Sequence, residues 1–518
     1  MLLALSLVGG CGPSEESRVP LADAWPTMHP TPVWQHFYEL TQVPRKSKNE
    51  GKATALVADF GRSLGLETVV DGVGNVIIRK PATIGMDGSP GVVLQAHLDM
   101  VAQQAPDSTA DMDTDPIQAY VEGGWVRADG TTLGADDGIG VAIIMAVLEA
   151  ADVVHGPLEA LFTVDEEEDF TGIDNLGPDA LTGRVYINVD SELEGQFIIS
   201  SAGGVYVLAR DTYGEATAPP GMAGFLLTVD GLIGGHSGLD IDKGRGSAHQ
   251  IMARLLVEAP ATFDVRVAEV VGGDQRNAIP RKTTTLIALP PDQADAFAKY
   301  VKEFGATVAS ELAATDPGVV VTMAPTALPP KVMDAEAQRA LIRAVYDVPQ
   351  GVYKMSDTIP DLVETSGNLG VLSIGDGQFT ADSYVRSAID SERDAEAQRF
   401  VAVFEEAGAT VTLDGAFSSW PPNPDSPLLA LMSRVYEGTF GAAAEVDAVH
   451  AGLETSVAGV TFPGMDMISI GATTQYVHKP EEQLEVASVA KVYDLIVATL
   501  RSVDCTTIPT CAGGSRAR

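Results

Sequence analysis

The segment Gly91–Val101, GVVLQAHLDMV, constrains the fold of this chain more than any other stretch. It is a short apolar run that ends by presenting His97 and Asp99 two residues apart. Side chains on a β-strand alternate with a period of two, so both face the same way at the strand's carboxyl edge, where open α/β sheets keep their ligands. An imidazole beside a carboxylate suits a metal ligand with an orienting partner. An isolated pair is more often a surface or capping hydrogen bond, so the decision falls to the rest of the chain.

From Pro32 to about Gly204, amphipathic helical stretches alternate with buried strands. Thr54–Leu64 and Gly138–Ala151 read as helices, and Val92–Ala96, Glu159–Val164 and Val185–Val189 as strands. This βα alternation predicts an α/β domain with a doubly wound, mostly parallel sheet covered on both faces. Between Val205 and Phe417 the strands lengthen (Gly224–Val229, Val319–Ala324) and mix with helices at Ser247–Glu258, Ala335–Val345 and Ala395–Ala407, which predicts an α+β domain. After the Pro-rich stretch Ser418–Pro427 come a helix (Leu428–Glu437), a strand (Met465–Ile470) and a last helix (Ala487–Val503). This end is expected to complete the first sheet, so the layout is an α/β domain in two segments, 32–204 and 418–503, with 205–417 inserted.

A chain of 518 residues with 45% hydrophobic content is expected to be globular and to hold two or three domains. Its 71 acidic and 33 basic residues give a net charge of −38, which repels phosphates and argues against nucleic acid as a partner. The first ten residues, MLLALSLVGG, form an apolar block too short to span a membrane and shaped like a signal-peptide core. Val8-Gly9-Gly10-Cys11 resembles a bacterial lipobox, although the usual positive start is missing. The expectation is a lipoprotein-type signal over 1–11, lipidation at Cys11, a linker over 12–31 and an exported protein held in the cell envelope by its lipid anchor only. A coincidental match would leave the protein cytoplasmic. Cys505 and Cys511, in the tail 504–518, fit a disulfide in an oxidising compartment.

Further clusters stand at strand ends and in loops. In Thr131–Val141, TTLGADDGIGV, Asp136 and Asp137 occupy a Gly-flanked turn before a helix, where a carboxylate either caps the helix or ligates. Gly134, Gly138 and Gly140 predict a close backbone approach to something bound there. The strand Ala160–Val164 runs into five consecutive carboxylates, Asp165 to Asp169, which repel one another unless solvated or neutralised by cations. Val185–Val189 delivers Asp190-Ser191-Glu192 in the same manner. Gly471–Pro480, GATTQYVHKP, supplies His478, and Ala448–Ser456, AVHAGLETS, supplies His450 and Glu454.

In order and spacing, HLD, LGADDGIG, TVDEEE, NVDSE, GGHSG, HAGLE and the late loop histidine resemble the di-zinc peptidase family of glutamate carboxypeptidases and acetylornithine deacetylase. Within it they are most similar to the aminoacyl-histidine (Xaa-His) dipeptidase branch, over residues 32–503. The resemblance implies that His97 and Asp190 ligate one zinc, that Glu167 and His478 ligate the other, and that Asp136 bridges them. It gives Asp99 the task of orienting His97 and Glu166 that of general base. The inserted domain becomes a lid whose His236, in Gly234-Gly235-His236-Ser237-Gly238, meets the developing oxyanion. Arg386 in VRSAIDS and Asn277 in RNAIP match lid motifs and are assigned to substrate binding. His450 and Glu454 either read the substrate's amine or side chain, or pack and cap beside the metal loop.

The expected activity is zinc-dependent hydrolysis of dipeptides or short peptides, with cobalt or manganese as substitute metals. An N-acyl amino-acid deacylase would share every ligand, and a non-catalytic peptide-binding surface lipoprotein would keep the cleft without the chemistry. A homodimer through the lid is left open. The chain departs from the branch at Asp137, where Asn is frequent, and at Glu168 and Asp169, which replace small residues.

Overall fold

The structure, a computed structural model, describes residues 18–508. These divide into two units, one comprising 18–199, 424–446 and 461–508, the other Ser200–Asn423 and Asp447–Val460. The segment 447–460, which the sequence places with the returning α/β part, thus groups with the second unit. One physical reason is that Nε2 of His450 lies 2.7 Å from Oγ of Ser366.

The first unit is built on a mixed sheet whose central strands, Leu158–Thr163, Val92–His97, Val185–Asn188 and Asp466–Ser469, run parallel. The hairpin Glu67–Val70 and Val76–Lys80 adds antiparallel strands beside Leu158–Thr163. Every residue of Val92–His97, Leu158–Thr163 and Val185–Asn188 is buried, as the continuous apolar runs predict for strands covered on both faces. The helix Ala135–Glu149 is apolar on every side, with Gly138 to Leu148 all buried. It packs against both Val92–His97 and the helix Thr31–Thr41, the environment such a sequence requires.

Register places the site. His97 pairs with Thr163 and Gln95 with Asn188, so three parallel strands end side by side and release residues 97–99, 165–167 and 190 at one sheet edge. A separate antiparallel sheet contains Ala119–Glu122, Trp125–Ala128, Gln483–Glu485 and Thr474–Gln475. Its last two strands frame the loop that carries His478.

The second unit is an antiparallel sheet of nine strands with helices Ala248–Val257, Ala294–Glu311, Ala335–Asp347 and Asp390–Glu406. Val205, Val207 and Ala209 turn into its core with period two, while Phe297, Val301, Phe304 and Val308 form the buried helical stripe that meets it. The long hairpin Val363–Gly375 and Gln378–Ser387 lies at the middle of this sheet. The architecture is the expected one, an α/β domain with a mostly parallel core sheet and an inserted α+β domain.

Candidate active site

His97 is fully buried at the end of its strand, with both ring nitrogens engaged by carboxylates. Nδ1 lies 3.3 Å from Oδ1 of Asp99, and Nε2 lies 3.1 Å from Oδ1 of Asp136 and 3.3 Å from Oδ1 of Asp190. His478 mirrors it from the loop after Thr474–Gln475. Its Nε2 stands 3.2 Å from Oδ2 of Asp136 and 3.0 Å from Oε2 of Glu167. The two oxygens of Asp136 therefore face two different histidines, and each histidine has a further carboxylate of its own.

Asp136 is available for this because its neighbours take over the helix start. Oδ1 of Asp137 accepts the N–H of Gly140 at 3.1 Å and Oδ2 that of His97 at 3.2 Å. Asp137 thus takes the capping role open to this pair of carboxylates and leaves both Asp136 oxygens to the histidines. Asp99 is likewise saturated. Oδ1 accepts the N–H of Glu166 at 3.0 Å, and Oδ2 accepts that of Glu167 at 3.2 Å and the hydroxyl of Ser47 at 2.8 Å. Burial pushes the Asp99 carboxyl up, but His97 and these donors outweigh it and hold its pKa at about 2.

The electrostatics of the donor set call for a bound cation. Burial, reinforced by the Asp136 carboxylate, pushes Glu167 up to about 7. Burial also raises Asp190, to about 6. Burial opposes charge on His97 and His478, yet the surrounding carboxylates win and raise both, His478 to about 11. A cluster with this imbalance demands positive charge among its carboxylates. Ligand atoms of His97, Asp136 and Glu167 lie within 4.8 Å of one another, as do those of His97, Asp137 and Asp190. Imidazole and carboxylate at such spacing fit zinc or a similar divalent ion.

Glu166 opens the helical turn Glu166–Asp169, its main chain held by Asp99. The rest of the acidic run finds partners locally. Nζ of Lys48 lies 2.7 Å from both Oε2 of Glu168 and Oδ2 of Asp169, and Asp165 accepts from the Thr171 hydroxyl.

Two partners have no counterpart in the sequence reading. Arg45, only 2% exposed, donates to the carbonyls of Leu98 at 2.9 Å, Asp99 at 2.7 Å and Gly134. Glu482, also 2% exposed, accepts backbone N–H groups from Leu133, Gly134 and Ala135 at 2.8–2.9 Å. The glycines of LGADDGIG are accordingly reassigned. A Cβ at Gly134 or Gly138 would meet Nη2 of Arg45 at 2.6 or 2.5 Å, so the group that needs their close approach is a side chain of this protein and not a bound ligand.

The second unit gathers its own polar cluster. His236 pairs with Ala278, beside Asn277, whose carbonyl accepts the N–H of Ser237 at 2.8 Å. Nδ1 of His236 accepts the N–H groups of Gly238 at 3.2 Å and Leu239 at 3.1 Å. A neutral ring that accepts at Nδ1 carries its proton on Nε2. Nη2 of Arg386, itself a donor, stands 3.3 Å from that nitrogen. Two donors converging in this way fit an anionic oxygen that accepts from both. The Arg386 guanidinium lies 4.0 Å over the ring of Tyr384, a cation–π contact that fixes its plane. His450 is driven down to about 3 by burial, with Arg386 and His236 adding to the effect. Glu454 is fully buried at the start of Glu454–Thr461.

The sequence profile of peptidase family M20/M25/M40 matches residues 93–502. The chain belongs to this family. This M20 peptidase is 36% identical to the cytosol non-specific dipeptidase of Escherichia coli over 476 residues, 92% of this chain and 98% of that one. It is 38% identical to the crystal structure of aminoacylhistidine dipeptidase from Vibrio alginolyticus, with a TM-score of 0.83 over 92% of this chain and 98% of the other. Aminopeptidase PepT from Bacillus cereus, at 17% identity and a TM-score of 0.54 over 92% and 99%, shares the fold.

These relatives correct one expectation. The Escherichia coli dipeptidase, matched along nearly its whole length, is a cytosol enzyme by name, which overturns the exported, lipid-anchored placement inferred from Val8-Gly9-Gly10-Cys11. Cys11 and Cys511 lie outside the described residues, and Cys505 is disulfide-bonded. Among the described residues no helix is long and apolar enough to cross a membrane.

Proposed function

We propose that this M20 peptidase is a zinc-dependent dipeptidase of the aminoacyl-histidine type. His97 and Asp190 would hold one zinc, Glu167 and His478 the other, with Asp136 shared. The observation that carries the reading is the Asp136 carboxylate, whose Oδ1 faces His97 at 3.1 Å and whose Oδ2 faces His478 at 3.2 Å. A shared carboxylate of this kind offsets the repulsion of two dications roughly 3.5–4 Å apart. When bound, such a pair supplies Lewis acidity to the scissile carbonyl and lowers the pKa of water.

The chain's own groups do the remainder. Asp99 keeps the His97 ring in one orientation, with Nε2 directed at the ligand cluster. Glu166 takes a proton from the attacking water and returns it to the leaving amine, a role suited to a half-buried carboxylate whose backbone is fixed beside the ligands. In the second unit, Arg386 and Asn277 are assigned to the substrate carboxylate, His236 to the developing oxyanion through Nε2–H, and His450 and Glu454 to the substrate's amine or side chain.

Similarity to two dipeptidases over nearly their full lengths supports a short peptide as substrate. The test is metal content and dipeptide hydrolysis in wild type and Asp136→Ala. The expected outcome is stoichiometric zinc with activity in wild type, and loss of both in the variant. Full activity in Asp136→Ala would overturn the shared-ligand reading.

A further inference from the structure

The segment 133–136, which delivers the shared carboxylate, lies between two buried groups of opposite charge that no ligand role explains. On one side, Glu482 receives four consecutive amides. Oε2 accepts from Leu133 and Gly134, at 2.8 and 2.9 Å. Oε1 accepts from Ala135 at 2.8 Å and from Asp136 at 3.4 Å. On the other side, Arg45 bonds the Gly134 carbonyl and, through Nη1, the carbonyls of Leu98 and Asp99, immediately after His97. Glu482 itself lies four residues beyond His478, in the same loop. The loops bearing His97, Asp136 and His478 are therefore laced together by one guanidinium and one carboxylate, each acting on the same short stretch of main chain.

From this geometry we propose that Arg45 and Glu482 are positioning residues that aim the Asp136 carboxylate, so that its two oxygens face both histidines together. The proposal rests on the two-zinc reading above. A carboxylate suits the task because it offers only acceptors to four donors, whereas a glutamine offers one acceptor oxygen and sets an NH2 group against amides that also donate. Breaking one half of a buried charged pair leaves the other uncompensated. Here that consequence falls on Gly134 and the residues after it, and Glu482 acts most directly on the distance between the Asp136 and His478 loops.

The test is stepwise zinc binding to the full chain. Metal-depleted wild type, Glu482→Gln and His478→Ala are titrated with zinc against a chromogenic chelator, and the melting of each metal-free protein is recorded. His478→Ala identifies the step belonging to the His478 and Glu167 position. Glu482→Gln is expected to weaken that step most, about 10–100-fold, the usual effect of removing a ligand's supporting partner, and to weaken the other step, which shares Asp136, to a lesser degree. Equal weakening of both steps, weakening of neither, or a lowered melting temperature with unchanged binding overturns the proposal. If Glu482→Gln does not fold, Gly138→Ala replaces it, since its methyl would meet Nη2 of Arg45 at 2.5 Å and perturb the same loop from the other side. Weakening that falls mainly on the step of the His97 and Asp190 position is then expected, because Arg45 also holds the carbonyls that follow His97, and no loss again overturns the proposal. Wild type that takes up no zinc would fail differently, contradicting the metal reading and this proposal with it.

Discussion

The backbone N–H of Glu166 donates to Oδ1 of Asp99 at 3.0 Å, the same oxygen that lies 3.3 Å from Nδ1 of His97. One buried carboxylate thus orients the histidine proposed as a ligand and fixes the main chain of the proposed base. Replacing Glu166 by Ala leaves that backbone bond intact and removes only the side chain. Dipeptide hydrolysis is expected to fall about 10²–10⁴-fold, the usual contribution of a positioned general base, with zinc content unchanged. The check is a turnover assay paired with metal analysis on the same sample.

Arg386 is expected to act on affinity for a substrate carboxylate. A hydrogen bond to a charged group is worth about 1.5–3 kcal/mol, so Arg386→Ala is expected to lose roughly 10–100-fold in kcat/KM toward a free dipeptide. Toward the same dipeptide with an amidated C-terminus, wild type and variant are expected to perform alike. A matched pair of substrates assayed with both proteins checks this.

Stability of the second unit is expected to fall on mild acidification. His249 is fully buried, held at Nδ1 by the Thr283 hydroxyl at 2.8 Å, and burial pushes its pKa down to about 4. The unfolded chain takes up a proton near pH 6.5 and the folded chain does not until about pH 4, so between these values the unfolded state binds more protons. Stability from this group is therefore complete above pH 6.5 and is lost toward pH 4, at about 1.4 kcal/mol per pH unit. His450, also held low by burial, adds in the same direction. Urea melts of wild type and His249→Gln at several pH values check the slope, which is expected to be shallower in the variant.

Gly140 sits where the helix Ala135–Glu149 passes the main chain of the neighbouring strand end. A Cβ there would meet the carbonyl of Val189 and Oδ1 of Asp137 at 2.3 Å. Because one of those atoms is backbone, the overlap is not relieved by a side-chain rotation. Gly140→Ala is expected to destabilise the protein by about 1–3 kcal/mol, the usual cost of overpacking, read as a shift in the denaturation midpoint.

Much of this was legible in the sequence, and for local reasons. Apolar runs marked Val92–Ala96, Glu159–Val164 and Val185–Val189 as buried strands, within a residue of the observed Val92–His97, Leu158–Thr163 and Val185–Asn188, and residues at or just past their ends converge. The residues alone brought His97, Asp136 and Asp137, the run Asp165 to Asp169, Asp190 and His478 to strand ends and loops, and the family resemblance singled out Asp136 and Glu167 among them. Arg45 and Glu482 were not legible, since their partners are main-chain groups 53 to 89 and 346 to 349 positions away and no local pattern marks them. The glycines of LGADDGIG advertised a close approach without saying to what. The sheet that frames His478 escaped notice because its strands there are only two and three residues long. The placement of 447–460 depends on a tertiary contact, the pairing of His450 with Ser366, that periodicity cannot express.

This M20 peptidase is proposed to cleave dipeptides through metal held by His97, Asp136, Glu167, Asp190 and His478. The most direct measurement is hydrolysis by the purified protein, with and without a chelator, of an Xaa-His dipeptide, an N-acylated amino acid and a longer peptide. Cleavage of the dipeptide in preference to the other two, abolished by the chelator and restored by zinc, is the predicted result. Dipeptide cleavage insensitive to the chelator, or cleavage of the N-acylated amino acid alone, would contradict it.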